Sequence, residues 1–341
     1  MLKVGVIGLG MMGQSHLLRL NDSPLATVTA VADPITGRRE GTTVVGGNLD
    51  LGQSGLDMGD VDRYSDGADL IREADVDAVW VCLPTPLHAP MSILAAENGK
   101  HVFCEKPMAR TVAQAEGMIA AAKANGVGLM IGQCIRFWPE FVYLKERVDD
   151  GAYGKLRSLR MSRVSSCPTW AAGGWILDAA QSGGTTVDMH IHDIDTVRWI
   201  CGQPRAVQAH GWNQKCTDGI DVIESVLDYG PDLAVKVTGG WLDMPSFGFE
   251  ACYDALFEGA LLRYNGNWER TLVVYPSGGS EPLYPKVSGD AYVREVDHFL
   301  RCVSEGQDPG GVIAPEEARD SLALVLALES SVRIGEPVVI D

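Results

Sequence analysis

Lys3 to Ile7 read as a mostly apolar strand that runs directly into Gly8-Leu9-Gly10-Met11-Met12-Gly13. A helix-period stripe of Met12, Leu17, Leu18 and Leu20 follows, then a second apolar strand, Val28 to Ala32, closed by Asp33, 20 residues beyond Gly13. Three glycines alone constrain little. In the order strand, glycine turn, helix, strand, acid they constrain a great deal, because each meets a separate demand: a tight turn, close approach of a ligand to the backbone, and close packing of helix on strand. The helix start offers N–H groups and the positive end of its dipole to an anion. The arrangement predicts a dinucleotide whose phosphates lie at Gly8, Gly10, Met11, Met12 and Gly13.

Asp33 bears on which dinucleotide. A carboxylate at this place accepts hydrogen bonds from ribose hydroxyls and repels a 2′-phosphate, which favours NAD over NADP. Arg38 and Arg39 pull the other way if the loop after Asp33 folds back, and otherwise form a solvated helix start.

A chain of 341 residues suits about two domains, and 46% hydrophobic with 21% charged residues is the composition of a globular protein. The formal charge of −17 excludes nucleic acid and anionic membranes as expected partners. No apolar run reaches a membrane span, and the first strand starts so near Met1 that no signal peptide is expected, which predicts the cytoplasm. The eight cysteines show no C-x-x-C, so free buried thiols are expected, with neither a disulfide framework nor zinc.

Strand and helix signals alternate through the first third, with strands at 3–7, 28–32, 77–83, 101–104 and 127–131 and helices at 11–20, 66–73, 90–98 and 111–124. This is the pattern of a parallel sheet covered on both faces. A glycine-rich stretch at 41–60 reads as an irregular surface insertion. Beyond about residue 125, alternating strands at 156–165, 205–215, 220–229, 232–241, 249–257 and 260–264 suit an antiparallel sheet, flanked by helices at 139–149, 184–200, 290–304 and 315–334. The expected fold is α/β: a doubly wound parallel sheet in 1–125, then an α+β domain with a mainly antiparallel open sheet in 126–341.

Two clusters carry candidate chemistry. Glu105-Lys106-Pro107 closes the strand at 101–104, so Lys106 stands at the carboxyl edge where open α/β sheets bind ligands. A lysine there can stabilise negative charge developing on a substrate oxygen, and it can equally be a solvated surface cation. Pro107 suits a tight turn, with its isomer left open. The second cluster is Ser182 to Asp195, read as one helix on which Asp188, His192 and Asp195 recur at i, i+4 and i+7. An acid one turn before a histidine can orient it as a general base. A helix-surface contact is one rival reading. A metal site of Asp188, His190, His192 and Asp193 is another, and no metal is expected because His190 would point away from His192.

Together, the Gly8–Gly13 turn, Pro84-Thr85-Pro86-Leu87-His88, Glu105-Lys106-Pro107, Gly132-Gln133-Cys134-Ile135-Arg136-Phe137 and the Gly183–Asp195 run resemble the family of glucose-fructose oxidoreductase, inositol dehydrogenase and rhizopine catabolism proteins. The resemblance spans nearly the whole chain. It departs at Ser182, which opens the glycine run, and at His190, where the family commonly has glycine. It implies a Rossmann domain followed by a domain for substrate binding and for assembly into a homodimer or homotetramer. It also implies Lys106, Asp188 and His192 as catalytic residues, with further cofactor contacts at Leu83, Pro84, Thr85, His88, Glu105 and Lys106. The expected activity is reversible, NAD-dependent oxidation of a secondary hydroxyl on a sugar, sugar acid or cyclitol. Lys106, Asp188 and His192 are also expected to touch substrate, joined by Arg136 as a clamp and by Trp170 and Trp175 as aromatic faces. Two alternatives stand beside this: an NAD-dependent glycosidase working by transient oxidation and elimination, and a non-catalytic nucleotide-sensing regulator.

Overall fold

A computed structural model describes residues 1–47, 58–279 and 281–340, with the backbone alone at Ala172. Most of the glycine-rich insertion expected at 41–60 lies outside the described residues. Two compact units emerge. The first comprises Met1–Cys134, Trp170–Trp175 and Tyr292–Leu322, and the second comprises Ile135–Thr169, Ile176–Ala291 and Ala323–Asp341. The expected division near residue 125 takes no account of the two later segments that cluster with the first unit.

The first unit is built on parallel strands β1 (Leu2–Ile7), β2 (Ala26–Ala32), β3 (Asp62–Tyr64), β4 (Ala78–Val81), β5 (His101–Glu105) and β6 (Leu129–Gly132), in the order β3-β2-β1-β4-β5-β6. Val79, Trp80, Val81, Val102, Phe103 and Cys104 are all fully buried, as strands covered on both faces must be. The order reverses between β1 and β4, which opens a crevice at their carboxyl ends. Helix Ala291–Ser304 belongs to this unit from Tyr292 onward. Its Phe299 ring meets Trp80 at 4.9 Å and Phe103 at 5.9 Å, and Trp80 and Phe103 stack at 5.1 Å.

The second unit is built on β7 (Leu156–Ser166), β8 (Ala206–Trp212), β9 (Val222–Asp228), β10 (Ala234–Leu242), β11 (Phe249–Phe257), β12 (Ala260–Asn265), β13 (Leu272–Pro276) and β14 (Val338–Val339). Their order is β13-β12-β11-β7-β10-β9-β8-β14, antiparallel throughout except for β7 beside β10. Burial alternates along β9, where Ser225 and Leu227 are buried while Glu224, Val226 and Asp228 are exposed, so one face is packed and the other open. Helix Pro139–Asp149 covers the packed face, its Phe141 ring lying 5.2 Å from Tyr253 and 5.1 Å from Tyr264.

Two expectations are corrected in this unit. Cys167, just after β7, and Cys216, in the loop after β8, form a disulfide rather than standing as free thiols. The pairing joins cysteines 49 residues apart, which spacing rules for metal knuckles do not reveal. The expected single helix at 184–200 is instead two, Gly184–Asp188 and Ile191–Cys201. At the break the His190 N–H reaches back five residues to the Thr185 carbonyl at 2.8 Å, a wide turn of the kind that interrupts helices at functional places.

Candidate active site

The three glycines of the first turn differ as expected. Gly8 has φ +88°, and a Cβ there would sit 2.4 Å from the Cys82 carbonyl oxygen. At Gly13 it would sit 1.8 Å from the Gly8 oxygen. At Gly10 it would meet nothing within 4 Å, so open space faces the backbone there. Gly10 is also the N-cap of helix Met11–Asp22 and has no side chain to offer the first-turn N–H groups. An open cradle at a helix N-terminus, floored by backbone, fits a pyrophosphate.

Asp33 is 4% exposed at the end of β2. One of its oxygens accepts the Leu9 N–H at 2.8 Å and the other the Ile35 N–H at 2.8 Å. Arg38 lies 3.5 Å from the same carboxylate, and Arg39 donates to the Asp33 carbonyl. The loop does fold back, so both arginines flank the acid. Gln14, fully buried, binds the same loop through Thr43 and Val45.

On the far side of the crevice, His88 joins the loops after β4 and β5. Its Nδ1 lies 2.8 Å from the Pro107 carbonyl and its Nε2 2.7 Å from the Leu83 carbonyl. Only an imidazolium can donate to both oxygens, but burial outweighs them and holds His88 below the ordinary 6.5. Pro84 opens the short turn Thr85–Leu87, and Thr85 is 2% exposed with no hydrogen-bond partner for its hydroxyl among the described residues. The Lys106–Pro107 peptide is cis. Lys106 follows β5 directly and is half-buried. Behind it, Glu105 accepts the Lys106 N–H at 3.0 Å and meets His16 Nε2 at 2.7 Å. Burial opposes the charge of Glu105, but the bond to His16 and the positive charges of His16 and Lys106 prevail and hold it below the ordinary carboxyl range.

In the second unit Asp188 ends the shorter helix and His192 lies in the first turn of the next, both half-buried. The helical spacing invoked for them therefore does not apply, since the break falls between. His190 is fully buried, with Nε2 on the Ser225 hydroxyl at 2.9 Å, and burial assisted by the Arg163 charge depresses it to about 3. Gly239 admits it: a Cβ there would lie 2.5 Å from His190 Nδ1. Asp193 is gripped by Arg163 at 2.9 and 3.0 Å. Asp195 is gripped by Arg136 at 2.8 and 2.9 Å. Arg136, expected as a substrate clamp, is 2% exposed and in this structure braces the helix that carries His192. Trp170 and Trp175 are half-buried around a kink where Gly173 and Gly174 have φ +72° and +67°.

Sequence reasoning passed over His16, Arg163 and Glu295. His16 was detectable as the one polar residue on the Met12, His16, Leu20 line of the first helix.

Residues 2–133 match the family described as an oxidoreductase family with an NAD-binding Rossmann fold, GFO/IDH/MocA, and residues 141–250 match the GFO/IDH/MocA C-terminal domain. The chain is similar to scyllo-inositol 2-dehydrogenase (NAD(+)) of Bacillus subtilis, 27% identical over 99% of this chain and 96% of the relative. It is also similar to myo-inositol 2-dehydrogenase of Thermotoga maritima, 29% identical over 97% and 96%. Among solved structures, a probable dehydrogenase from Thermotoga maritima superposes with a TM-score of 0.79 at 27% identity, covering 99% of this chain and 98% of that one.

Proposed function

Because the chain belongs to the GFO/IDH/MocA family of NAD-binding oxidoreductases, we propose that it oxidises a secondary hydroxyl of a cyclitol, sugar or sugar acid. The observation that carries this reading is Lys106, set at the carboxyl edge of a dinucleotide-binding sheet with its backbone held by Glu105 and the loop behind it by His88. When bound, NAD supplies the hydride acceptor at C4 of its nicotinamide. Gly8 to Gly13 hold the phosphates and Asp33 the adenosine ribose, which favours NAD, while Arg38 and Arg39 leave room for a 2′-phosphate to be tolerated. Lys106 donates to the substrate oxygen and stabilises alkoxide character, His192 accepts the hydroxyl proton, and Asp188 binds a neighbouring hydroxyl. Trp170 and Trp175 offer apolar faces to a sugar ring. The similarity to two inositol dehydrogenases makes cyclitols the first substrates to try. The reading extends to a cytoplasmic homodimer or homotetramer.

The test is NADH production against a panel of cyclitols and sugars. Lys106→Ala and His192→Ala should each lower kcat by about 10²-fold or more while leaving NAD affinity nearly intact. Full turnover in either variant removes the assignment. Cleavage of a glycoside without net NADH would favour transient oxidation and elimination instead.

A further inference from the structure

Behind Lys106 lies a buried polar cluster that the proposed chemistry does not use. Glu105 closes β5 with its side chain turned inward, 6% exposed. One of its oxygens meets His16 and the other the Lys106 N–H, so the carboxylate is pinned at both ends. His16 is fully buried, its ring edge-on to Phe103 at 5.0 Å and to Tyr292 at 6.4 Å. It stands on the helix that begins at Gly10, so a single contact connects the phosphate-binding helix to the strand end bearing Lys106.

A third member comes from helix Ala291–Ser304. Tyr292 and Phe299 on one face of that helix touch His16 and Phe103, and Glu295 lies on the same face between them. Glu295 is fully buried, and neither of its oxygens has a hydrogen-bond partner among the described residues. Two neighbouring buried carboxyls resist ionising together. Glu105 has an imidazole, an N–H and the Lys106 charge to stabilise its anion, so the negative charge resides there and Glu295 keeps its proton. The other titratable groups near this pair are Arg19 on the first helix, Cys82 and Cys104 at the ends of β4 and β5, Cys134 after β6, and Tyr292.

We propose that the His16–Glu105 pair is a positioning device for Lys106, transmitting the placement of the cofactor-binding helix to the lysine. The proposal rests on the reading of Lys106 given above. A carboxylate on the lysine's own N–H fixes where its side chain starts, and the imidazole fixes the carboxylate. Without the imidazole, a buried anion loses a main partner and the strand end shifts or takes up a proton.

The test compares His16→Leu, His16→Gln and Glu105→Gln in the full chain, measuring kcat, KM and NAD affinity with the best polyol found. Glutamine can return an N–H near the position of His16 Nε2. His16→Leu should lower kcat about tenfold or more with little change in KM, and His16→Gln should recover most of it. Glu105→Gln, which no longer offers His16 a carboxylate, should lower kcat severalfold with little change in KM. Added to Lys106→Ala, His16→Leu should have no further effect on kcat. A wild-type kcat in Glu105→Gln would overturn the proposal, even if His16→Leu does not fold. So would equal losses in both His16 variants explained by melting temperature alone. An active Lys106→Ala variant sinks the underlying reading instead, so the two failures are told apart.

Discussion

The carboxylate of Asp33 accepts the N–H of Leu9, the residue between the first two glycines of the fingerprint, at 2.8 Å. The acid proposed to bind a ribose is thus also a staple of the glycine turn. Asp33→Ala leaves the Leu9 and Ile35 N–H groups without this acceptor, at about 1–3 kcal/mol each, and removes the proposed ribose ligand. It should raise the Kd for NAD about tenfold or more and lower thermal stability together, while NADP, freed of repulsion, loses less. Titration with both dinucleotides checks this; an unchanged NAD affinity would discard the assignment of Asp33.

Arg136 and Asp195 form a two-point fork in which both residues are almost wholly buried, at 2% and 1% exposure. Removing one charge strands the other in a low-dielectric interior, so Arg136→Met should cost about 3–5 kcal/mol in urea unfolding, and Arg136→Met with Asp195→Leu less than Arg136→Met alone. A single variant as stable as the parent would show the pair is not what holds the His192 helix.

Glu295 keeps its proton in the folded chain well above the ordinary carboxyl value of 4.5, through burial first and the charge of Glu105 second. The folded state therefore binds more protons than the unfolded state above 4.5, and this group makes stability fall as pH rises from there. Glu105, held low, acts oppositely: its contribution is present above the ordinary value and is lost as pH falls through the folded one. Glu295→Gln should match the parent near pH 4.5 and exceed it increasingly toward neutrality, by up to about 1.4 kcal/mol per pH unit. A pH-independent difference between the two unfolding curves would mean the carboxyl is ionised after all.

With Cys167 joined to Cys216, denatured protein should expose six reactive thiols before reduction and eight after it. Closing a loop of this length is worth about 4 kcal/mol in the chain-entropy account, so reductant should also lower the unfolding midpoint. Eight thiols without reductant would contradict the bond.

The parallel sheet was legible because strands buried on both faces are written as apolar runs, and the glycine turn because steric demands select glycine position by position. β3 escaped notice: Asp62-Arg63-Tyr64 has no apolar run, and it pairs only along the edge of β2. The helix break at Met189 and His190 was equally hidden, since the apolar pattern continues through it. What breaks the helix is long-range, with His190 drawn into the space left by Gly239 and onto Ser225, 35 residues away. The arginine forks obey the same limit, with partners 59 and 30 residues apart. Lys106, Asp188 and His192 were proposed from residue type, order and the family resemblance, whereas the buried groups packed behind Lys106 and along the His192 helix depend on contacts no local pattern records.

Interrupting the helix between Asp188 and His192 uncouples two side chains that an unbroken spiral would lock at a fixed pitch. The histidine rides on a segment anchored twice by guanidinium groups, and the aspartate on a separate five-residue helix entered through Gly183 in the left-handed conformation. In the function proposed above, amino-acid changes in that short helix re-aim the Asp188 carboxylate toward a different hydroxyl pattern and leave His192 undisturbed, so new substrates become reachable while the proposed chemistry stays put.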